Sequence, residues 1–337
     1  MTEPPAATDF DALVGGFQRD YDRIVAEVGR VIVGLGEVID QAMTCLLTGG
    51  HALLEGVPGL GKTLLVRTLA EALDLTFGRI QFTPDLMPAD IIGTNIVETD
   101  SAGGRSFHFQ RGPIFGHLIL ADEINRATPK TQSAVLEAMQ EGTVSVARVR
   151  HKLPSPFLVL ATQNPLEMEG TYPLPEAQLD RFLFKIHVPG PALGDLVTIL
   201  DRTTGTATPA AEKVVGAERV NEMIAVVRQV LVASHVKDYI GRVVLATHPD
   251  SAGAPEGVRK FVRYGASPRA AQAIILGAKV LALRDGRANV AFEDVARVVH
   301  PALRHRLIPS FEGQAEGVDP DDVIAAVLET IPTTPAT

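Results

Sequence analysis

Gly56-Val57-Pro58-Gly59-Leu60-Gly61-Lys62-Thr63 matches the spacing G-x-x-x-x-G-K-[ST] of a phosphate-binding loop at every fixed position. Its flanks decide the reading. Ala52-Leu53-Leu54, lying between Gly49-Gly50 and Gly56, reads as a short buried strand. Leu64 to Leu73 then places Leu65, Leu69 and Leu73 at four-residue spacing on one helical face. A strand before the loop and a helix after it are the setting in which such a loop holds a nucleotide; the alternative is a glycine-rich turn that happens to carry Lys-Thr. Gly56, Gly59 and Gly61 allow backbone conformations closed to residues with a Cβ, so successive N–H groups can turn inward around phosphate oxygens at the positive end of the helix. Within this loop Lys62 supplies a point charge for the β- and γ-phosphates, and the Thr63 hydroxyl is placed to ligate Mg²⁺. ATP and Mg²⁺ are the cofactors this implies.

A second chemical centre lies downstream. His117-Leu118-Ile119-Leu120-Ala121-Asp122-Glu123 reads as a buried strand ending in two carboxylates. Asp122 at the strand end would hold the Mg²⁺ shell, and Glu123 would orient and deprotonate an attacking water. An acidic pair at a helix start is the plainer alternative. Phe157 to Ala161 reads as another buried strand, and Asn164 beyond it can bond both the lytic water and the γ-phosphate. Arg181 precedes a further strand, Leu183 to Val188. It is placed either to reach a neighbouring subunit's nucleotide or to pair with Asp180 or Glu176.

Composition narrows the class. At 337 residues the chain is long enough for two domains, and 46% hydrophobic content furnishes both cores. A formal net charge of −9 argues against a broad electrostatic hold on nucleic acid. The single cysteine, Cys45, has no intrachain disulfide partner and sits beside Leu46 and Leu47, which suits a buried thiol in a reducing cytoplasm. No apolar run approaches the roughly 18–20 residues of a membrane span, and the acidic, proline-bearing start is unlike a signal peptide.

Along the chain, the first eight residues read as disordered, followed by helices over Phe10 to Val28 and Glu37 to Leu47. Between them, Val31 to Gly34 is placed either to flank an adenine ring or to cap a helix. Thr94 to Glu98 and Arg105 to Phe109 read as a hairpin with a tip at residues 99–104, in which His108 is a strand residue. Thr128 to Glu141 is a helix stopped by Gly142, and Thr143 to Leu153 is a second hairpin with four basic side chains, most simply a solvated one. Strands at about 51–55, 79–82, 117–121, 157–161 and 183–188 alternate with helices, which predicts an α/β parallel sheet covered on both faces with nucleotide at the strands' carboxyl ends. After Pro189-Gly190-Pro191 the pattern is all helical, giving a core over residues 1–190 and a helical lid over 191–337. Ser267 caps a helix entered by Pro268, which would aim Arg269 at the nucleotide from above. The cluster Arg304-His305-Arg306 reads as helix-end charge, with phosphate contact the alternative.

Taken together, the phosphate loop, Leu118 to Glu123 with Ile124-Asn125-Arg126-Ala127, Ala161 to Pro165, Leu174 to Phe182 and Gly265 to Ala270 resemble the MoxR family of AAA+ ATPases over about residues 30 to 310. The resemblance implies sheet order 5-1-4-3-2. It implies Walker A roles for Lys62 and Thr63, Walker B roles for Asp122 and Glu123, sensor 1 at Asn164, an arginine finger at Arg181 and sensor 2 at Arg269, with Arg126 a further candidate for acting across a subunit boundary. It marks Thr94 to Phe109 and Val144 to Leu153 as inserts facing a central pore. It further implies a homo-oligomeric ring, a hexamer, that remodels client proteins beside a separate partner with a von Willebrand factor A domain. Two other classes stay open: a DNA-associated or chelatase-like motor, which salt-dependent retention on DNA would reveal, and a nucleotide-dependent switch.

Overall fold

Apolar residues alternate between two faces along neighbouring strands, and that alternation sets the layers. Ala52, Leu54, Leu118, Leu120, Leu158 and Leu160 point to one face, and Leu53, Ile119, Ala121, Val159 and Ala161 to the other. The computed structural model describes residues 7–99, 105–164, 170–205 and 209–333. The first six residues and the first hairpin's tip at 100–104 lie outside these, as does Pro165 of the string after the fourth sheet strand.

The chain opens with α1 (Ala7–Val31) and α2 (Gly36–Thr48), then β1 (Ala52–Glu55), α3 (Lys62–Ala72), β2 (Phe77–Gln81) and the short α4 (Pro88–Ile92). The hairpin β3 (Gly93–Thr99) and β4 (Arg105–Arg111) precedes β5 (Leu118–Asp122) and α5 (Pro129–Glu141). A second hairpin, β6 (Thr143–Val146) and β7 (Val149–Lys152), leads to β8 (Leu158–Gln163), α6 (Glu176–Leu179) and β9 (Phe184–His187). Then come α7 (Leu193–Thr204), α8 (Ala217–Gln229), α9 (Ser234–Ala246), α10 (Glu256–Phe261), β10 (Val262–Tyr264), α11 (Pro268–Arg284), α12 (Phe292–Leu303), β11 (Ile308–Pro309), α13 (Phe311–Glu316) and α14 (Pro320–Thr330).

Five strands form one parallel sheet in the order β2-β5-β8-β1-β9, which is the expected 5-1-4-3-2 read from the other edge. Each strand enters from the amino side and leaves at the carboxyl side, so the loops after β1, β5 and β8 gather at one edge. On one face lie α1, α2 and α3 with Phe17, Tyr21, Ile24, Leu46, Leu65 and Leu69; on the other α5 presses Val135, Leu136 and Met139 toward Leu53 and Val159. The edge strand β9 is covered by the lid helix α12, which removes one exposed ladder.

The lid helices share their core with the first face of the sheet: Val220, Ile274, Leu281 and Val298 belong to the same buried cluster as Leu46, Leu160 and Phe184. One feature departs from the all-helical expectation: β10 and β11 pair antiparallel inside the lid. The helix α12 continues through Pro301 to Leu303. Cys45 is fully buried, and burial pushes its thiol up, out of the reactive range. His108 lies on β4 opposite Ile96. Among the described residues no helix is long and apolar enough to cross a membrane.

Candidate nucleotide site

The loop from Gly56 to Gly61 leaves β1 and turns directly into α3, whose first two residues are Lys62 and Thr63. Two glycines are required by what surrounds them. A Cβ on Gly56 would stand 2.9 Å from the carbonyl oxygen of Val188, and Gly61 has φ +77°, which a side chain strongly disfavours. Pro58 to Leu64 line a cavity of about 500 Å³, opposite Asp122, Glu123 and Asn164. All these predicted residues therefore meet at one cleft, with Lys62 at its base donating to the carbonyl oxygens of Gly56 (2.7 Å) and Val57 (2.9 Å). Partial burial holds the Lys62 ammonium below its usual range, opposed by the charges of Asp122 and Glu123.

The acid pair is fixed by a residue outside the sequence reading of the site, Thr162 on β8. Its hydroxyl donates to Asp122 Oδ1 at 2.7 Å, and Thr162 Oγ1 in turn accepts the backbone N–H of Glu123 at 2.8 Å. Glu123 is a non-glycine residue in the left-handed region, φ +57° and ψ 50°, so the chain turns sharply after Asp122. Two further residues come from β2. Arg79 donates to Asp122 Oδ2 from Nη2 (2.8 Å) and Nε (3.2 Å), and Gln81 donates to Glu123 Oε2 at 3.0 Å. Both line the cleft. The signal that could have found them is their alternation on a strand whose carboxyl end abuts the phosphate loop, together with the register Gln81 opposite Asp122.

Arg126, expected to reach across a boundary, pairs within its own chain with Glu123 Oε2 at 3.1 Å. Asn164 is buried one residue beyond β8 and lines the same cleft.

Beside the loop, a second cavity of about 320 Å³ shares Gly59, Leu60 and Gly61 with the first and is walled by Val31, Ile32, Pro189, Leu196 and Ile199. An apolar slot adjoining a phosphate cradle fits a purine ring. Of the two readings of Val31 to Gly34, the ring-flanking one agrees with this placement.

The two remaining arginines stand elsewhere. Arg181 donates to the carbonyl of Leu136 at 3.2 Å and pairs with neither Asp180 nor Glu176; its Nε is buried without a partner. Arg269 was expected to lean over its own nucleotide. Instead it lines a small cavity with Arg181, His51 and Gln140, and its guanidinium is 3.4 Å from Asp180. The reason is a buried hub. Arg306, only 3% exposed, donates from Nε to Asp180 Oδ1 at 2.8 Å, and Ser267, which caps α11, donates to the same carboxylate at 2.8 and 2.9 Å. Arg306 also donates to the backbone carbonyls of Phe182, Leu183 and Ala302. This hub ties the start of α11 to the segment carrying Arg181. The cluster read as helix-end charge is therefore divided: Arg306 serves the hub, Arg304 pairs with Asp321 at 2.8 Å, and His305 donates from Nε2 to the Phe182 carbonyl oxygen at 3.1 Å.

The donor set suits Mg²⁺ held with a nucleotide. The hydroxyls of Thr63 and Thr162 and the carboxylates of Asp122 and Glu123 line the cleft, all hard oxygen donors, which matches an ion held by one or two carboxylates plus substrate phosphates. Among the described residues there is no cluster of three or more His, Cys, Asp and Glu that would form an all-protein cage.

Comparison with known proteins agrees with this geometry. The profile of the ATPase family associated with various cellular activities (AAA) matches residues 51–184, and that of the AAA lid domain matches residues 256–327. The chain is 45% identical over 310 residues to Chaperone MoxR1 of Mycobacterium tuberculosis, covering 92% of this chain and 81% of that protein. It is 31% identical over 343 residues to Protein MoxR of Paracoccus denitrificans, covering 96% and 98%. A crystal structure from Cytophaga hutchinsonii superposes with TM-score 0.89 at 40% identity over 97% of each chain. With relatives of that similarity aligned along nearly its whole length, the chain belongs to the MoxR family of AAA+ ATPases.

Proposed function

We propose that the protein hydrolyses ATP with Mg²⁺ in a ring of like subunits, a hexamer, and uses the cycle to remodel client proteins in the cytoplasm beside a separate von Willebrand factor A domain partner. The chaperone reading is supported by the name of the mycobacterial relative, Chaperone MoxR1. One observation carries the ring: Lys62, Thr63, Asp122, Glu123 and Asn164 surround one cleft, whereas Arg181 and Arg269 stand together away from it. A pair of arginines lining one cavity beside the lid hub and absent from their own phosphate cleft is suited to the nucleotide of an adjacent copy. We assign both to that role, Arg269 included. The division into a core over 1–190 and a lid over 191–337 is part of the same proposal, the lid carrying Arg269 and the core carrying Arg181.

In this reading the N–H groups of the loop and the Lys62 ammonium hold the β- and γ-phosphates. Mg²⁺, held by Thr63 and Asp122 when bound, supplies charge neutralisation of the phosphate oxygens. Glu123 accepts a proton from water as that water's oxygen bonds to the γ-phosphorus and the bond from the γ-phosphorus to the β–γ bridging oxygen breaks, the oxygen leaving with ADP; the Asn164 amide orients that water. For Glu123 to do so, its carboxylate leaves the contacts with Gln81 and Arg126.

The test has two arms. Glu123→Gln should retain nucleotide binding and lose hydrolysis by about 10²- to 10⁴-fold, the usual worth of a positioned base. Arg181→Ala should lose hydrolysis while light scattering with ATP and Mg²⁺ reports whether rings form. Equal hydrolysis by wild type and Glu123→Gln would refute the enzyme, and full activity in a monomer would refute the shared site.

A further inference from the structure

We propose that Arg79 is the resident counter-cation of Asp122, and that Mg²⁺ arriving with nucleotide must displace it. The inference rests on the nucleotide reading above and adds a residue which that reading does not use.

Both carboxylate oxygens of Asp122 are engaged. Oδ1 accepts the Thr162 hydroxyl at 2.7 Å, and Oδ2 accepts two N–H groups of Arg79 at 2.8 and 3.2 Å. The Asp122 side chain is 14% exposed and the Arg79 side chain 48%, so Thr162 holds the carboxylate from the interior and Arg79 covers it from the cleft. A divalent ion approaches from that same side, since the phosphate loop forms the facing wall. It meets a guanidinium where it needs oxygen. Arginine keeps its proton at any working pH, so the conflict is resolved by movement of the side chain and not by titration.

A second contact couples this exchange to the base. Arg79 Nη2 also donates to Gln81 Oε1 at 2.6 Å, and Gln81 in turn donates to Glu123 Oε2 at 3.0 Å. When Arg79 swings from Asp122, Gln81 loses the partner that fixes its amide, and the hold on Glu123 loosens with it. Metal entry at Asp122 and release of the base Glu123 are thereby linked through two side chains of β2, Arg79 and Gln81. Because Arg79 is half exposed, its ion pair contributes little to folding stability. Its competition with the metal is instead read in the Mg²⁺ concentration the site requires.

The experiment uses the full chain and mant-ADP fluorescence, first in EDTA and then across a Mg²⁺ titration. The variants are Arg79→Ala, Arg79→Lys and Arg67→Ala, the last removing an exposed cation that lies over the Phe77 ring of the same strand β2 and pairs with neither acid. Arg79→Ala should lower the Mg²⁺ midpoint by about fivefold, the scale of one exposed ion pair ceasing to compete. Arg79→Lys, which keeps a charge but not the fork, should fall between, and Arg67→Ala should match wild type. Binding of mant-ADP in EDTA should stay unchanged in all of them. An unchanged or raised midpoint in Arg79→Ala overturns the inference, as does an equal shift in Arg67→Ala, which would make the effect one of general field. Loss of mant-ADP binding in EDTA on removal of Arg79 also overturns it, because the residue would then be a phosphate ligand. A wild-type chain that binds no mant-ADP in either condition refutes the nucleotide reading itself and the inference with it.

Discussion

Substituting Asp180 by asparagine keeps the shape of the side chain and removes one charge from the hub beneath Arg181 and Arg269. In the structure that carboxylate accepts from Arg306 Nε, from Ser267 Oγ and, at longer range, from Arg269 Nη1. Arg306 is the decisive partner, because its side chain is 3% exposed and its charge has no route to water. Breaking a buried pair from one side costs about 3–5 kcal/mol when nothing else compensates. Here Arg306 also donates to the backbone carbonyls of Phe182, Leu183 and Ala302, and an asparagine oxygen still accepts one N–H. The expected loss is therefore at or just under the low end, about 2–3 kcal/mol. The comparison is Arg269→Ala, which removes a half-exposed cation 3.4 Å away and should cost under about 1 kcal/mol. Urea unfolding of wild type and the two variants measures both, read on the first transition to appear. A further arm places Asp180→Asn in an Arg306→Met background, where the loss should shrink because no stranded charge remains. If Asp180→Asn costs no more than Arg269→Ala, or if its cost is the same with methionine at 306, the hub does not hold the lid in the way argued.

Acid should act first on buried histidines. His51 accepts the Val159 N–H at Nδ1 (3.0 Å) and faces the Met139 carbonyl with Nε2 (3.0 Å), an arrangement that needs a neutral ring; burial lowers its pKa to about 4, and Arg181 and Arg269 line the same cavity. The folded value lies below the unfolded one, so this contribution is complete above pH ~6.5 and is lost as pH falls toward 4, about 2 kcal/mol by pH ~5; His51→Gln should flatten the stability–pH slope in that window by about one proton, measured by urea unfolding at pH ~5 to 8. Thr162→Val should leave the Glu123 N–H unpaired and free one oxygen of Asp122, costing about 1–3 kcal/mol and slowing hydrolysis while nucleotide affinity is largely kept, as separate kcat and Kd measurements would show.

Much of this architecture is readable from residue order, and the reasons are local. A phosphate loop is contiguous, so Gly56 to Thr63 declares itself within eight residues, and the helix after it is announced by Leu65, Leu69 and Leu73. The strand ends bearing Asp122 and Asn164 are legible for the same reason, since a buried apolar run followed by a polar side chain is a one-dimensional pattern. What escaped the reading depends on contacts between strands. Arg79 and Gln81 acquire meaning only once β2 is laid beside β5, and Thr162 only once β8 is laid beside it on the other side. The surroundings of Arg269 were not legible because a helix cap fixes where α11 begins but says nothing of how the lid sits. That is set by Arg306 gripping Asp180 across 126 positions of sequence. The pair β10 and β11 was missed because three residues and two residues, one of them Pro309, are too short to show an alternation.

The buried cluster that runs without interruption from the sheet through α1 and α2 into α8, α11 and α12 has a practical corollary. A fragment ending near Pro191 would bare Phe184, Leu46 and the edge of β9 to solvent, inviting edge-to-edge association, and a fragment beginning there would lack the wall its own helices lean on. Expression trials that trim the molecule at the proline pair should yield insoluble material from both halves, whereas co-expression of the two should rescue them as a complex.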